Sequence, residues 1–89
     1  MTWTIEYGDT AKKALDKLDR QTARRIVSYM GERILIQQSP RESGQSLKGS
    51  KLGNLWRYRV GDYRVICDIQ DEVLIVLVIG VGHRREVYR

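Results

Sequence analysis

The 89-residue sequence holds one cysteine, one histidine and one proline. A lone cysteine, Cys67, excludes an intramolecular disulfide and a cysteine-rich zinc site. A lone histidine, His83, leaves a single side chain whose ordinary pKa lies near neutrality. No glycine-rich phosphate loop precedes a helix, since Gly49 and Gly53 stand before a strand. No Ser–His–Asp signature is recognisable. The longest apolar run, 73–81, is about half of a membrane span. The opening MTWTIEYGDT lacks the basic start and apolar stretch of a signal peptide. A cytoplasmic protein without membrane attachment is expected.

Negative charge is also in short supply. Lysine and arginine total 16 against 11 aspartates and glutamates, giving a net charge of +5 and a pI near 9.7. The excess is local. Residues 39–64 carry Arg41, Lys48, Lys51, Arg57, Arg59 and Arg64 against only Glu42 and Asp62. The stretch 83–89 carries Arg84, Arg85 and Arg89 against Glu86. Basic clusters of this kind favour polyanions, nucleic acid first, although surface charge also serves solubility.

A chain of this length makes one domain, 1–89, with a compact core. Trp3 to Tyr7 alternates apolar and polar, as a short strand does. Gly8-Asp9-Thr10 offers a turn and a helix cap. Ala11, Ala14, Leu15 and Leu18 then share one helical face, and Asp19 can cap a second helix. Ala23, Ile26, Val27, Met30 and Ile34 continue the helical period until Ser39-Pro40, because a residue before proline leaves the helical region. Residues 39–54 are rich in glycine and serine and predict a long loop of the kind that is often functional or mobile. Three strands follow: 55–60, 63–69 and 73–81. The expected fold is α+β, in the order β-α-α-β-β-β. Its four-stranded, mainly antiparallel sheet carries a helical hairpin on one face.

Gly61-Asp62 is a two-residue hairpin signal, and it fixes register. Val60 then faces Tyr63, Arg59 faces Arg64, Tyr58 faces Val65, Arg57 faces Ile66 and Trp56 faces Cys67. Alternation puts Trp56, Tyr58, Val60, Tyr63, Val65, Cys67 and Ile69 on the face beneath the helices. Arg57, Arg59 and Arg64 share the opposite face with Leu55, Ile66 and Asp68. Opposed like charges cost about a few tenths of a kcal/mol. A bound phosphate would turn that repulsion into attraction, since guanidinium groups grip phosphate through paired hydrogen bonds. Continuing the pairing through Asp71-Glu72 puts Ile75, Leu77 and Ile79 on the arginine face, and Leu74, Val76 and Val78 on the core face. Gly80 and Gly82 allow a bend that would carry His83, Arg84, Arg85 and Tyr88 toward Arg59 and Arg64.

No metal-ligating constellation or paired carboxylates are visible, so neither metal nor other cofactor is expected. The chemistry that fits is cleavage of RNA by its own 2′-hydroxyl. It needs a base, stabilisation of a charged phosphorane and an acid for the leaving oxygen. Arginine suits the second task and is a poor base, because its guanidinium gives up its proton only far above neutral pH. Tyr88 could stack on a base. His83 is either a participant or an ordinary solvated residue. Cys67 and Trp56 belong to packing.

The element order, "LKG" at 47–49, the hairpin "WRYRVGDYRVIC" and the closing "VGHRREVY" resemble the RelE branch of the RelE/ParE toxin superfamily over essentially the whole chain. The resemblance implies the toxin of a type II toxin–antitoxin system. Such a toxin is a ribosome-dependent mRNA endonuclease (mRNA interferase) that cuts A-site codons and inhibits translation. It implies a cognate antitoxin as partner, with operator DNA reached only through that antitoxin. Arg64 matches the family's transition-state arginine, Arg84 the tail arginine that acts as acid or phosphate stabiliser, and Tyr88 the tyrosine that orients the nucleotide. Arg59 joins these as catalytic, and Lys48, Lys51, Arg57, His83 and Arg85 are the expected RNA contacts. Arg57 and Arg59 stand where well-known members carry lysines, which leaves the general base open: Lys48, Lys51 or His83 substitutes, or the base matters less than electrostatics. The alternatives are a ParE-like toxin directed at DNA gyrase, or a non-catalytic binding module.

Overall fold

The computed structural model describes residues 2–47 and 55–83. Its strands are β1 (Thr4–Tyr7), β2 (Gln45–Ser46), β3 (Leu55–Val60), β4 (Tyr63–Gln70) and β5 (Ile75–His83). Its helices are α1 (Asp9–Lys17) and α2 (Arg20–Tyr29). A π-helical turn, Met30–Ile34, extends α2, and a 3₁₀ turn spans Pro40–Glu42. The α+β architecture and the helical hairpin on one face of the sheet are as expected. One strand is added: the sheet has five, in the order β1-β5-β4-β3-β2. The pair β1–β5 is parallel and the other pairs are antiparallel.

Local chemistry explains the elements. Gly8 is the N-cap of α1, in extended backbone and without a side-chain hydrogen bond, so neither Asp9 nor Thr10 caps that helix. Asp19 does cap α2: its carboxylate accepts from the Thr22 amide at 3.1 Å and the Thr22 hydroxyl at 2.6 Å. The α-helix ends at Tyr29, well short of Ser39. Ser39 caps the 3₁₀ turn instead. Its hydroxyl accepts from the Arg41 amide while the Glu42 carboxylate accepts from the Ser39 amide, a reciprocal capping box with Pro40 at the first position. Residues 39–47 are therefore not the structureless loop that their composition suggests.

The core lies between the helices and one face of the sheet. Ala11, Ile26 and Met30 from the helical side meet Tyr58, Val65, Cys67, Val76 and Val78 from the strands, all at 0 % exposure. Leu15, Leu18, Trp3 and Trp56 pack around this centre. Burial pushes the Cys67 thiol well above its usual range, with Asp68 adding to the effect, so Cys67 is a packing group and not a thiolate.

The β3–β4 register is the expected one at every pair from Leu55↔Asp68 to Val60↔Tyr63. Of the two turn residues only Gly61 has positive φ, 61°, the pattern of a II′ turn. The turn into β5 spans residues 71–74 instead of Asp71-Glu72 alone, which moves the β4–β5 pairing by two residues and keeps the expected faces in the first half of the strand. Gln70↔Ile75 and Asp68↔Leu77 place Ile75 and Leu77 on the arginine face, and Val76 and Val78 are buried beneath the helices. Between Val78 and Gly80 the register slips by one residue, so Ile79 is the extra residue of a β-bulge and is 36 % exposed. Leu74 is in the turn before β5 with φ of 56°, not on the core face, because the strand begins one residue later.

Candidate functional site: a cationic cleft

Strand alternation and a two-residue turn build the site. Arg57 and Arg59 stand two apart on β3 and so project to one face. Arg64 on β4 is the direct partner of Arg59. These three residues and Gln45 line a cleft of about 220 Å³. The lining is three cations and one neutral amide. Arg59 is exposed, Arg57 half-buried, and Arg64 only 7 % exposed. Arg64 Nη1 reaches the Tyr63 carbonyl at 3.4 Å.

Gln45 arrives on a separate strap, residues 39–47, which is fastened to the sheet at several points. The Tyr58 hydroxyl donates to the Pro40 carbonyl at 2.5 Å. Burial raises that phenol's pKa above its usual range, which keeps the donor proton in place. The Trp56 indole donates to the Ser43 carbonyl at 2.6 Å. Arg41 forms a bidentate pair with Asp71, at 2.7 and 2.9 Å, and lies 6.0 Å from the centre of the Trp56 ring. Gly44 has φ of 78°, and a Cβ there would stand 2.3 Å from the Arg57 carbonyl oxygen. Only glycine satisfies both the backbone and the space. The strap then pairs Gln45 with Arg57 and Ser46 with Trp56, and the Leu47 amide donates to the Leu55 carbonyl at 3.1 Å. Arg57 Nη2 donates to Gln45 Oε1.

The structure thus brings Arg57, Arg59 and Arg64 together. It separates His83 from them. The Ile79 bulge changes the parity of β5, so Val81 and His83 turn to the helix side, where His83 pairs with Tyr63. The two rings meet edge to face with centroids 5.6 Å apart, in a groove shared with Lys13, Lys17 and Leu18 of the helical hairpin. The anticipated approach of His83 to Arg59 and Arg64 is therefore corrected: one inserted residue reverses the alternation. Lys48, Lys51, Arg84, Arg85 and Tyr88 lie outside the described residues. Gln45 is the lining residue that sequence reasoning missed. The available signal was Ser39-Pro40-Arg41-Glu42, a capping box with proline at its first position, which marks an ordered turn within the supposed loop.

Among the described residues no group of three or more histidine, cysteine, aspartate or glutamate side chains could hold a metal ion. No helix among them is long and apolar enough to cross a membrane.

This architecture is that of a RelE/ParE-type toxin. The family profile described as "ParE toxin of type II toxin-antitoxin system, parDE" matches residues 5–88, and the chain belongs to that family. It is 29% identical over 90 residues to Toxin RelG of Mycobacterium tuberculosis, covering 100% of this chain and 99% of that one. Among solved structures it is similar to the RelBE2 toxin–antitoxin complex of M. tuberculosis, with TM-score 0.81 and 26% identity, covering 97% of this chain and 95% of that chain. The archaeal RelE–RelB complex of Pyrococcus horikoshii OT3 gives TM-score 0.73 at 25% identity, covering 98% of this chain and 100% of that chain. The free-state E. coli toxin RelE, at TM-score 0.78 and 24% identity over 98% of this chain and 88% of that chain, shares the fold.

Proposed function

We propose that this toxin inhibits translation as a ribosome-dependent mRNA endonuclease, cleaving A-site mRNA by attack of the RNA's own 2′-hydroxyl. The observation that carries the reading is the placement of Arg59 directly opposite Arg64, with Arg57 on the same face, in one cleft. A phosphodiester bound there meets guanidinium donors from two strands. As the 2′-oxygen attacks, negative charge grows on the nonbridging oxygens, and fixed cations stabilise that charge more than they stabilise the ground state. The 7 % exposure of Arg64 strengthens the effect, since less water competes for its donors.

Arg59 and Arg64 are the phosphorane-stabilising pair in this scheme, and Arg57 is an RNA contact. Arg84 protonates or stabilises the leaving group and Tyr88 orients the nucleotide, roles that rest on the family resemblance. Lys48, Lys51 and Arg85 supply further RNA contacts, whereas His83 faces the helix side and takes no part in this scheme. A guanidinium is a poor base, so the proton of the 2′-hydroxyl passes to a group other than these arginines. The partner that restrains the toxin is a cognate antitoxin, as the solved relatives RelBE2 and archaeal RelE–RelB are toxin–antitoxin complexes. Contact with operator DNA runs through that antitoxin.

The matching profile carries the name of ParE, and a toxin acting on DNA gyrase is the second reading. One experiment separates them: induce the chain in cells, map mRNA ends by primer extension and monitor DNA breaks in the same culture. Cuts in register with translated codons, lost in Arg64→Ala, support the nuclease. DNA breaks beside intact messages overturn it in favour of a gyrase-directed toxin.

A further inference from the structure

Gln45 is placed by a conspicuous amount of structure for an exposed residue on a two-residue strand. Four separate features hold its strap: the Tyr58–Pro40 and Trp56–Ser43 hydrogen bonds, the Arg41–Asp71 pair and the left-handed Gly44. The residue delivered by these contacts sits opposite Arg57 and lines the cleft. Its carboxamide is also oriented. A guanidinium has donors only, so the group facing Arg57 must be the amide oxygen. With Oε1 committed, the two hydrogens of Nε2 remain as donors at the rim of a cleft otherwise lined by cations.

We propose that Gln45 is a positioning residue of the cleavage site. It holds the Arg57 guanidinium at the cleft and presents amide donors to the anionic oxygens of a polynucleotide phosphate. A side chain of Arg57's length loses considerable rotamer freedom when it is fixed. An acceptor already in place bears that cost before substrate arrives. A neutral amide does so without cancelling the positive field, as a carboxylate in the same position would. The inference rests on the nuclease reading above.

Three variants of the full chain test it: Gln45→Leu, Gln45→Glu and Arg57→Leu. One readout is the Arg57 Nε–H signal in the NMR spectrum of the free protein. The other is the single-turnover rate of mRNA cleavage on programmed ribosomes. Gln45→Leu is expected to shift and broaden the Arg57 signal and to slow cleavage by about tenfold, the scale of one charge-assisted hydrogen bond. Gln45→Glu retains an acceptor, so the signal survives, but it lacks the donors and adds a repelling charge, so the rate falls. In an Arg57→Leu background, Gln45→Leu costs less than it does alone, about threefold or less, because the two act together. A wild-type protein that cleaves, beside Gln45→Leu and Gln45→Glu proteins that cleave equally fast, overturns the role of Gln45 and leaves the nuclease standing. A wild-type protein inert on programmed ribosomes, with an Arg57 signal that still depends on Gln45, overturns the nuclease reading and this role with it, and leaves only a structural contact.

Discussion

The two faces of the β3–β4 hairpin are made of alternating residues in the same two strands, yet they serve opposite ends. Tyr58, Val65 and Cys67 are fully buried beneath the helices, while Arg57, Arg59 and Arg64 line a cleft on the other side. Each residue on one face is a direct chain neighbour of a residue on the other. A packed face and a cationic face are therefore interleaved at single-residue spacing. The core face fixes the strands, and the strands fix the separation of Arg59 from Arg64. The fold tolerates facing cations because the cost of the pair is small beside what burial on the core face supplies.

Substitutions on the two faces should separate these roles. The largest expected effect is on the arginine face: Arg64→Ala should lower cleavage at least about 100-fold, the scale of losing one preorganised donor to a developing anion. Growth arrest on induction should disappear while a cooperative unfolding transition persists. Arg64→Lys, which keeps the charge without the planar fork, should recover only part of the rate. Ile69→Ala on the core face of β4 should do the reverse, costing about 3 kcal/mol of stability by denaturant unfolding. Its single-turnover rate should change little wherever the protein stays folded.

The strap links the faces, because Tyr58 and Trp56 of the helix-facing side hold a segment that delivers Gln45 to the other. Gly44→Ala should cost about 2 kcal/mol, from positive φ and from a Cβ placed against the Arg57 carbonyl. Hydrogen exchange should show residues 40–47 losing protection before the β3–β4 hairpin does. The smallest effect belongs to Asp71. The Arg41 hydrogen bond holds its carboxyl below the usual aspartate range. Its contribution is thus fully present above the unfolded value of about 3.9 and lost as pH falls through the lower folded value. The pair is exposed, 34 % and 56 %, so screening limits it to about 0.5 kcal/mol. The stability difference between wild type and Asp71→Asn should be constant at neutral pH and vanish in acid.

Much of this was legible beforehand, and the failures have definite causes. Gly61-Asp62 set the β3–β4 register, and alternation then assigned every arginine to its face. Gly80 and Gly82 marked a place where β5 could bend, but not that Ile79 would be an inserted residue, so the turning of His83 to the helix side was hidden. The strand Gln45–Ser46 has two residues and no alternation to display; it exists because tertiary contacts from Tyr58 and Trp56 hold its approach. The helix beyond Tyr29 kept the spacing of its apolar residues while its hydrogen bonds widened to a π turn, a change that periodicity does not register.

One pairing sets the order in which the molecule can be assembled. The first strand's sheet partner is β5, so Thr4 waits for Ile75 and Tyr7 for Val78. Closing a loop of that length is slow and entropically costly, whereas the β3–β4 hairpin needs only its own turn. Amides of Thr4–Tyr7 should gain exchange protection in refolding after those of Leu55–Gln70. A nascent chain with its arginine hairpin already formed still lacks the strand that seats its beginning, and the finished shape waits until synthesis has passed β5.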